Sequence, residues 1–259
     1  MHPVNKALAL IGLRLDRCKK PMTDQEKKYR EAYEINFAKV TTNHRHFRVY
    51  RDYRYNTEAD HRKVQPDFEF EFVARHLHRE KPVNILDIGS YRHFILGLLA
   101  HYNVTTVDIR NIQPSLPNQT IVTCDAKTLP FDDDSFDTVI TLGTLPHIGM
   151  GRYRDEVDLD ADLKAFNEMR RVLKPGGIIL FTVAMVAGRP SLAWNARRNY
   201  SYEMMADFCE GLELVEEKFF DRRALRHCTR EELTTDPEFF DYYFGCWRKR
   251  LDGDSKRRS

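Results

Sequence analysis

From residue 81 onward, short apolar runs alternate with longer segments whose apolar residues recur every three or four positions. The runs cover 83–88, 104–109, 120–124, 136–142, 178–183, 212–219 and 240–247. Each has the length of a strand, and most are apolar on consecutive residues, as strands buried on both faces are. Between them, 94–101, 160–173 and 202–210 keep helical spacing; in the second, Leu163, Phe166, Met169 and Leu173 fall on one stripe. Strands alternating with helices predict an α/β domain over 81–250, with a seven-stranded, mostly parallel sheet covered by helices on both faces. Residues 1–80 contain one glycine and read as helical, notably in 23–38 and in 67–77, where Phe68, Phe72, Val73 and Leu77 share a face. They are expected to form an N-terminal helical extension. The polar residues 251–259 are expected to be a flexible tail.

Composition narrows the class. A chain of 259 residues with 42% hydrophobic and 31% charged residues can fill a core, which excludes a disordered chain or a fibre. Its formal charge is +2, too balanced to announce nucleic acid. Residues 1–80 are more basic, with 17 Lys and Arg against 12 Asp and Glu, and 46–55 interleave aromatic and basic residues. Five scattered cysteines without a CxxC pair point to a reduced, cytoplasmic protein without a zinc site. The apolar run 7–13 is too short to span a bilayer, and no export signal is expected from it.

The chemistry concentrates at strand ends. In an open α/β sheet, ligands bind outside the carboxyl ends of the strands, where the strand order reverses. The first run ends in NILDIGS and so places Asp87 and Gly89 at that edge. The second ends with Asp108, where a carboxylate can accept hydrogen bonds from both hydroxyls of a ribose. The third leads into Cys124-Asp125-Ala126, where a carboxylate could take an exocyclic amine; the fourth ends at Leu142.

LDIG, VDIR, CDAKTLPFDDDSFDTVI and RRVLKPGGIILFTV, in this order, resemble the class I S-adenosylmethionine-dependent methyltransferases over about residues 81–250. The resemblance implies a Rossmann-like fold and S-adenosylmethionine as cofactor. Carried over by position, Asp87, Gly89 and Ser90 would line the methionine end, Asp108 the ribose, and Asp125 and Ala126 the adenine, with Leu142 bordering the pocket. The loop departs from the family's glycine-rich pattern: Tyr91 and His93 stand where small residues are common.

A second stretch, TLPHIGMGRYRDEVDLDADLKA over 144–165, resembles uncharacterised methyltransferase-like proteins of surface polysaccharide biosynthesis, departing from them at Arg154. It follows the fourth strand and should overhang the reacting methyl. His147 suits a general base because imidazole titrates near neutral pH, and Asp155 joins it as a catalytic candidate. Tyr153, Asp158, Asp162, Arg197 and Arg198 are expected on substrate, since arginine forks match phosphate and carboxylate. The acidic residues 155–162 are read as hydrogen-bonding groups rather than as a metal site. The expectation is O-methylation of a sugar, sugar phosphate or glycan, with an anionic acceptor suiting the arginines. The alternatives are an RNA methyltransferase using 46–55 to stack bases, against which the absence of an NPPY-like motif counts, and a binding module that kept the fold without the chemistry.

Overall fold

The computed structural model describes residues 22–43, 48–51, 64–236 and 238–251. The apolar run 7–13, most of 46–55 and the tail after Leu251 lie outside them. The chain divides into two compact units, one ending at Arg62 and the other beginning at Lys63.

In the first unit, helix α1 spans Asp24–Asn43. Thr23 and Glu26 cap its start reciprocally: the Glu26 N–H donates to Thr23 Oγ1 at 3.2 Å and the Thr23 N–H to Glu26 Oε2 at 2.7 Å. Arg51 donates two hydrogen bonds to Glu34 and lies 4.0 Å from the Phe37 ring centroid.

The second unit opens with α2, Gln65–Glu80. It closes on Lys81, whose left-handed φ of 48° and following Pro82 stop the helix. The expected boundary at 81 therefore lies inside this unit: Phe72, Val73 and Leu77 of α2 share one core cluster with Ile85, Phe94 and Phe244. The alternation then runs β1 (Asn84–Ile88), α3 (Arg92–Leu98), β2 (Asn103–Asp108), β3 (Gln119–Thr123), β4 (Phe136–Leu142), α4 (Ala161–Val172) and β5 (Leu173–Met185). A ribbon of β6 (Ser191–Ala193) and β7 (Arg197–Asn199) follows, then α5 (Tyr202–Phe208), β8 (Leu212–Asp221), β9 (Arg226–Cys228) and β10 (Asp241–Lys249).

The sheet order is β3-β2-β1-β4-β5-β10-β8-β9. The strands β1 to β5 are parallel to one another, and β8, β9 and β10 join antiparallel. The sheet has eight strands rather than seven, because the short polar segment β9 pairs with β8 at the edge. Side chains alternate between two cores. Leu86, Val139, Ile179 and Phe181 face Phe166 and Met169 of α4, whereas Ile85, Ile140, Ile178 and Leu180 face α2 and α3. Strand order reverses between β1 and β4, so a crevice opens at their carboxyl ends.

Candidate active site

A cavity of about 330 Å³ sits at that crevice, within the usual range of ligand pockets. Its walls come from the ends of all four strands expected to build it. Gly89 and Ser90 follow β1, Asp108 ends β2, Asp125 and Ala126 follow β3, and Leu142 ends β4. The loop after β4 adds His147, Tyr153 and Asp155. Nine of the fourteen candidate site residues thus line one cavity.

Asp87 stands just behind the wall. Its side chain is fully buried; Oδ1 accepts the Ser90 N–H at 3.2 Å and Oδ2 has no hydrogen-bond partner among the described residues. Burial pushes its carboxyl up to about 7, against the hydrogen bonds from Ser90 that favour the charged form. Gly89 turns the chain with φ +61°, and a Cβ there would come within 2.9 Å of Thr144 Cγ2. Glycine lets β1 and the loop after β4 approach closely.

Both carboxylate oxygens of Asp108, the residue expected to meet two hydroxyls, are held by Arg110. Oδ1 accepts the Arg110 backbone N–H and Nε, each at 2.8 Å, and Oδ2 accepts Nη2 at 2.6 Å. The same guanidinium lies 5.4 Å from the Tyr153 ring centroid. Lys127, another wall residue the strand-end reading missed, bridges Asp125 at 3.5 Å and Asp158 at 3.4 Å.

His147 closes a short 3₁₀ turn, Leu145–His147. Its Nδ1–H donates to the Ala196 carbonyl, which leaves the lone pair of the neutral ring on Nε2. Burial lowers its pKa, and the charges of Arg152, Arg197 and Arg198 add to that effect. The ring is therefore neutral at pH 7. The loop can fold over the sheet edge because Gly149 has φ +72° and packs where a Cβ would fall 2.3 Å from both Ala161 Cβ and the Asp158 carbonyl.

Asp155 lines the cavity but is committed to its own loop. Oδ1 accepts the Tyr153 N–H at 2.9 Å and Oδ2 the Gly151 N–H at 3.3 Å. Burial works to raise this carboxyl, yet these backbone donors outweigh it and hold the pKa below the usual range. A carboxylate so stabilised is a weak base.

Four residues expected on substrate lie outside the cavity lining, and their contacts explain why. Asp158 pairs with Lys164 at 2.8 Å as well as with Lys127. Asp162 is buried, accepting from Tyr200 Oη at 2.7 Å and standing 3.3 Å from Arg198 Nε. Arg198, also buried, donates to the carbonyls of Ile148, Asp158 and Leu159 and so staples the loop after β4 to the ribbon. Arg197 points elsewhere, over the Phe240 ring. Among the described residues no group of three His, Cys, Asp or Glu side chains could hold a metal ion, and no helix is long and apolar enough to cross a membrane.

Residues 86–181 match the family model described as a methyltransferase domain. Over 78 residues the chain is 44% identical to a demethylmenaquinone methyltransferase of Staphylococcus epidermidis, covering 30% of this chain and 27% of that protein. Over 63 residues it is 35% identical to the Mus musculus protein named "Probable tRNA methyltransferase 9B", covering 24% of this chain and 12% of the relative. The chain thus spans little more than a quarter of the first relative's length and less of the second. Among solved structures, the 4+2 cyclase SpnF superposes with a TM-score of 0.55 at 15% identity, over 87% of this chain and 95% of its own. The Burkholderia thailandensis 1,6-didemethyltoxoflavin-N1-methyltransferase does so with 0.52 at 17% identity, over 91% and 93%. At such identities the likeness is one of fold. Residues 86–181 thus match a methyltransferase-domain model, and the mostly parallel sheet around them shares the Rossmann-like fold of these structures.

Proposed function

We propose that the chain is an S-adenosylmethionine-dependent methyltransferase acting on a hydroxyl oxygen of a small acceptor, a sugar, sugar phosphate or glycan. The observation that carries this reading is one cavity at the sheet's switch point, lined both by a strand-end carboxylate, Asp108, and by a histidine, His147. When bound, S-adenosylmethionine supplies a methyl group on a positively charged sulfur. Gly89 and Ser90 would hold its methionine end, Asp108 its ribose, and Asp125 and Ala126 its adenine, with Leu142 alongside. The unpartnered Oδ2 of Asp87 suits an ammonium near the loop.

The protein's own work is to position the acceptor and take its proton. An alcohol is a poor nucleophile until that proton has an acceptor, and His147 offers Nε2 while the Ala196 carbonyl fixes the ring. Holding the reactants in line can supply about 7–11 kcal/mol of the barrier reduction. The reading is tested in two steps. Calorimetry with S-adenosylhomocysteine asks whether the site takes the cofactor; no binding would favour a module without chemistry. Donor consumption is then followed across sugar nucleotides, glycans and tRNA, and turnover confined to tRNA would move the acceptor to the RNA class.

A further inference from the structure

Ribbon and sheet meet at an aromatic ring that carries two cations. The Arg197 guanidinium lies 3.9 Å from the Phe240 ring centroid and that of Arg222 lies 4.3 Å from it. Two like charges on one ring repel, and among the described residues neither pairs with a carboxylate. Two of the nearby acids are committed elsewhere. Asp236 pairs with Arg223 at 3.2 Å. Asp241 is buried, and its oxygens accept the backbone N–H groups of Arg222 at 3.0 Å and Thr234 at 2.7 Å.

Arg197 is half-buried and held in place: its Nε donates to Asn199 Oδ1 at 3.1 Å, leaving the two Nη groups to be satisfied. Burial and then the Arg222 charge lower its pKa, which is what a cation lacking its counter-ion shows. Tyr242 packs edge-on against Phe240, with centroids 5.2 Å apart, and both arginine charges act on its phenol. Arg197 also directly follows Ala196, whose carbonyl anchors His147. One of the two cations therefore stands one residue along the chain from the anchor of the proposed base, and its charge acts on the His147 ring.

We infer that Arg197 and Arg222, stacked on Phe240, form a subsite for a phosphate group on the methyl acceptor. Two guanidinium forks match the two charges and the several acceptor oxygens of a phosphate monoester, and the Phe240 ring on which both pack helps hold them in place. The inference rests on the reading of the His147 side as the methyl-transfer site, and it replaces Arg198 with Arg222 as the partner of Arg197.

The test titrates the full chain, saturated with S-adenosylhomocysteine, with inorganic phosphate at constant ionic strength. Binding is read by the ¹⁵N–¹H signals of the arginine Nε groups. Saturable shifts are expected on Arg197 and Arg222. Each of Arg197→Gln and Arg222→Gln should weaken phosphate binding by about tenfold or more, from the loss of a charged hydrogen bond. Affinity for S-adenosylhomocysteine should stay unchanged. Arg197→Lys, which keeps the charge and loses the fork, should fall between, and it serves if the glutamine variant does not fold. No saturable shift, equal phosphate binding in wild type and variants, or a parallel loss of S-adenosylhomocysteine binding would each overturn the subsite. Failure of the wild type to bind S-adenosylhomocysteine would instead overturn the cofactor reading, since phosphate can still be titrated on the free protein.

Discussion

If Asp108 receives the ribose, Arg110 competes for the same carboxylate, and removing it should strengthen cofactor binding. The arginine takes both oxygens of Asp108, at 2.8 and 2.6 Å, so the hydroxyls must displace its guanidinium. That displacement costs little on the Arg110 side, which is 59% exposed and rehydrates, while the buried Asp108, 6% exposed, exchanges one set of donors for another. Exposed ion pairs are worth about 0.2–1 kcal/mol, and an exposed cation over a ring such as Tyr153 adds about 0.5–1 kcal/mol. Arg110→Ala should therefore raise affinity by a few-fold to about thirtyfold, since each 1.4 kcal/mol is tenfold. Asp108→Ala loses two charged hydrogen bonds of about 1.5–3 kcal/mol each and should weaken binding about fivefold or more even after the displacement term is recovered. Calorimetric titration of S-adenosylhomocysteine into wild type, both single variants and the double variant gives the coupling directly. The gain from Arg110→Ala should vanish in the Asp108→Ala background, and added salt should bring wild type and Arg110→Ala together. Unchanged or weaker binding by Arg110→Ala would refute the competition, as would a gain that persists without Asp108.

His147→Gln should keep S-adenosylhomocysteine affinity and lose about 10²-fold or more in turnover. The active base is the neutral form, and the pKa is lowered, so wild-type turnover should rise with pH along a limb below 6.5 that the variant lacks; a variant with the native rate and profile would make His147 a loop residue. For Asp87 the native pKa of about 7 lies above the unfolded value near 3.8, so the folded state binds the extra proton in between. Its stabilising share is fully present below pH 3.8 and is lost as pH rises to 7, on the order of 4 kcal/mol at 1.36 kcal/mol per unit. Asp87→Asn should gain on wild type in urea midpoint across that window, and parallel curves would contradict the burial argument. Gly149→Ala combines a left-handed φ of +72° with contacts of 2.3 Å, and should cost about 2–5 kcal/mol in thermal or urea unfolding; a loss under about 1 kcal/mol, near the size of an ordinary surface change, would show that the loop gives way.

The sheet was readable because burial on both faces writes itself as continuous apolar sequence. β4 and β5 expose almost nothing along their central residues, and their runs stand out. β9 did not, because Arg226 and His227 form an exposed edge and follow no apolar pattern. The helical stripe of Phe72, Val73 and Leu77 was also legible, but spacing names a face and not what it packs on. That face meets β1 and β10, so the unit starts at Lys63. The strand-end wall of the cavity was legible for a further reason: a strand end fixes where its next residue goes, and Asp108 and Asp125 could hardly lie elsewhere.

The substrate side had no such anchor. A run of acids in a loop looks the same in sequence whether its oxygens meet a ligand or the loop's own N–H groups, and here Asp155 and Asp158 do the latter. Arg197 and Arg198 make the point most sharply, since they are consecutive and of one type. A strand turns consecutive side chains to opposite faces, so β7 sends Arg198 inward to the carbonyls of the loop after β4 and Arg197 outward to Phe240. What Arg197 meets there comes from Arg222 and Phe240, brought in by β8 and the segment before β10. Nothing near residue 197 in the sequence could have announced that neighbour. The pairing of β10 with both β5 and β8 produces it, and a site assembled by sheet order becomes visible only once the sheet is.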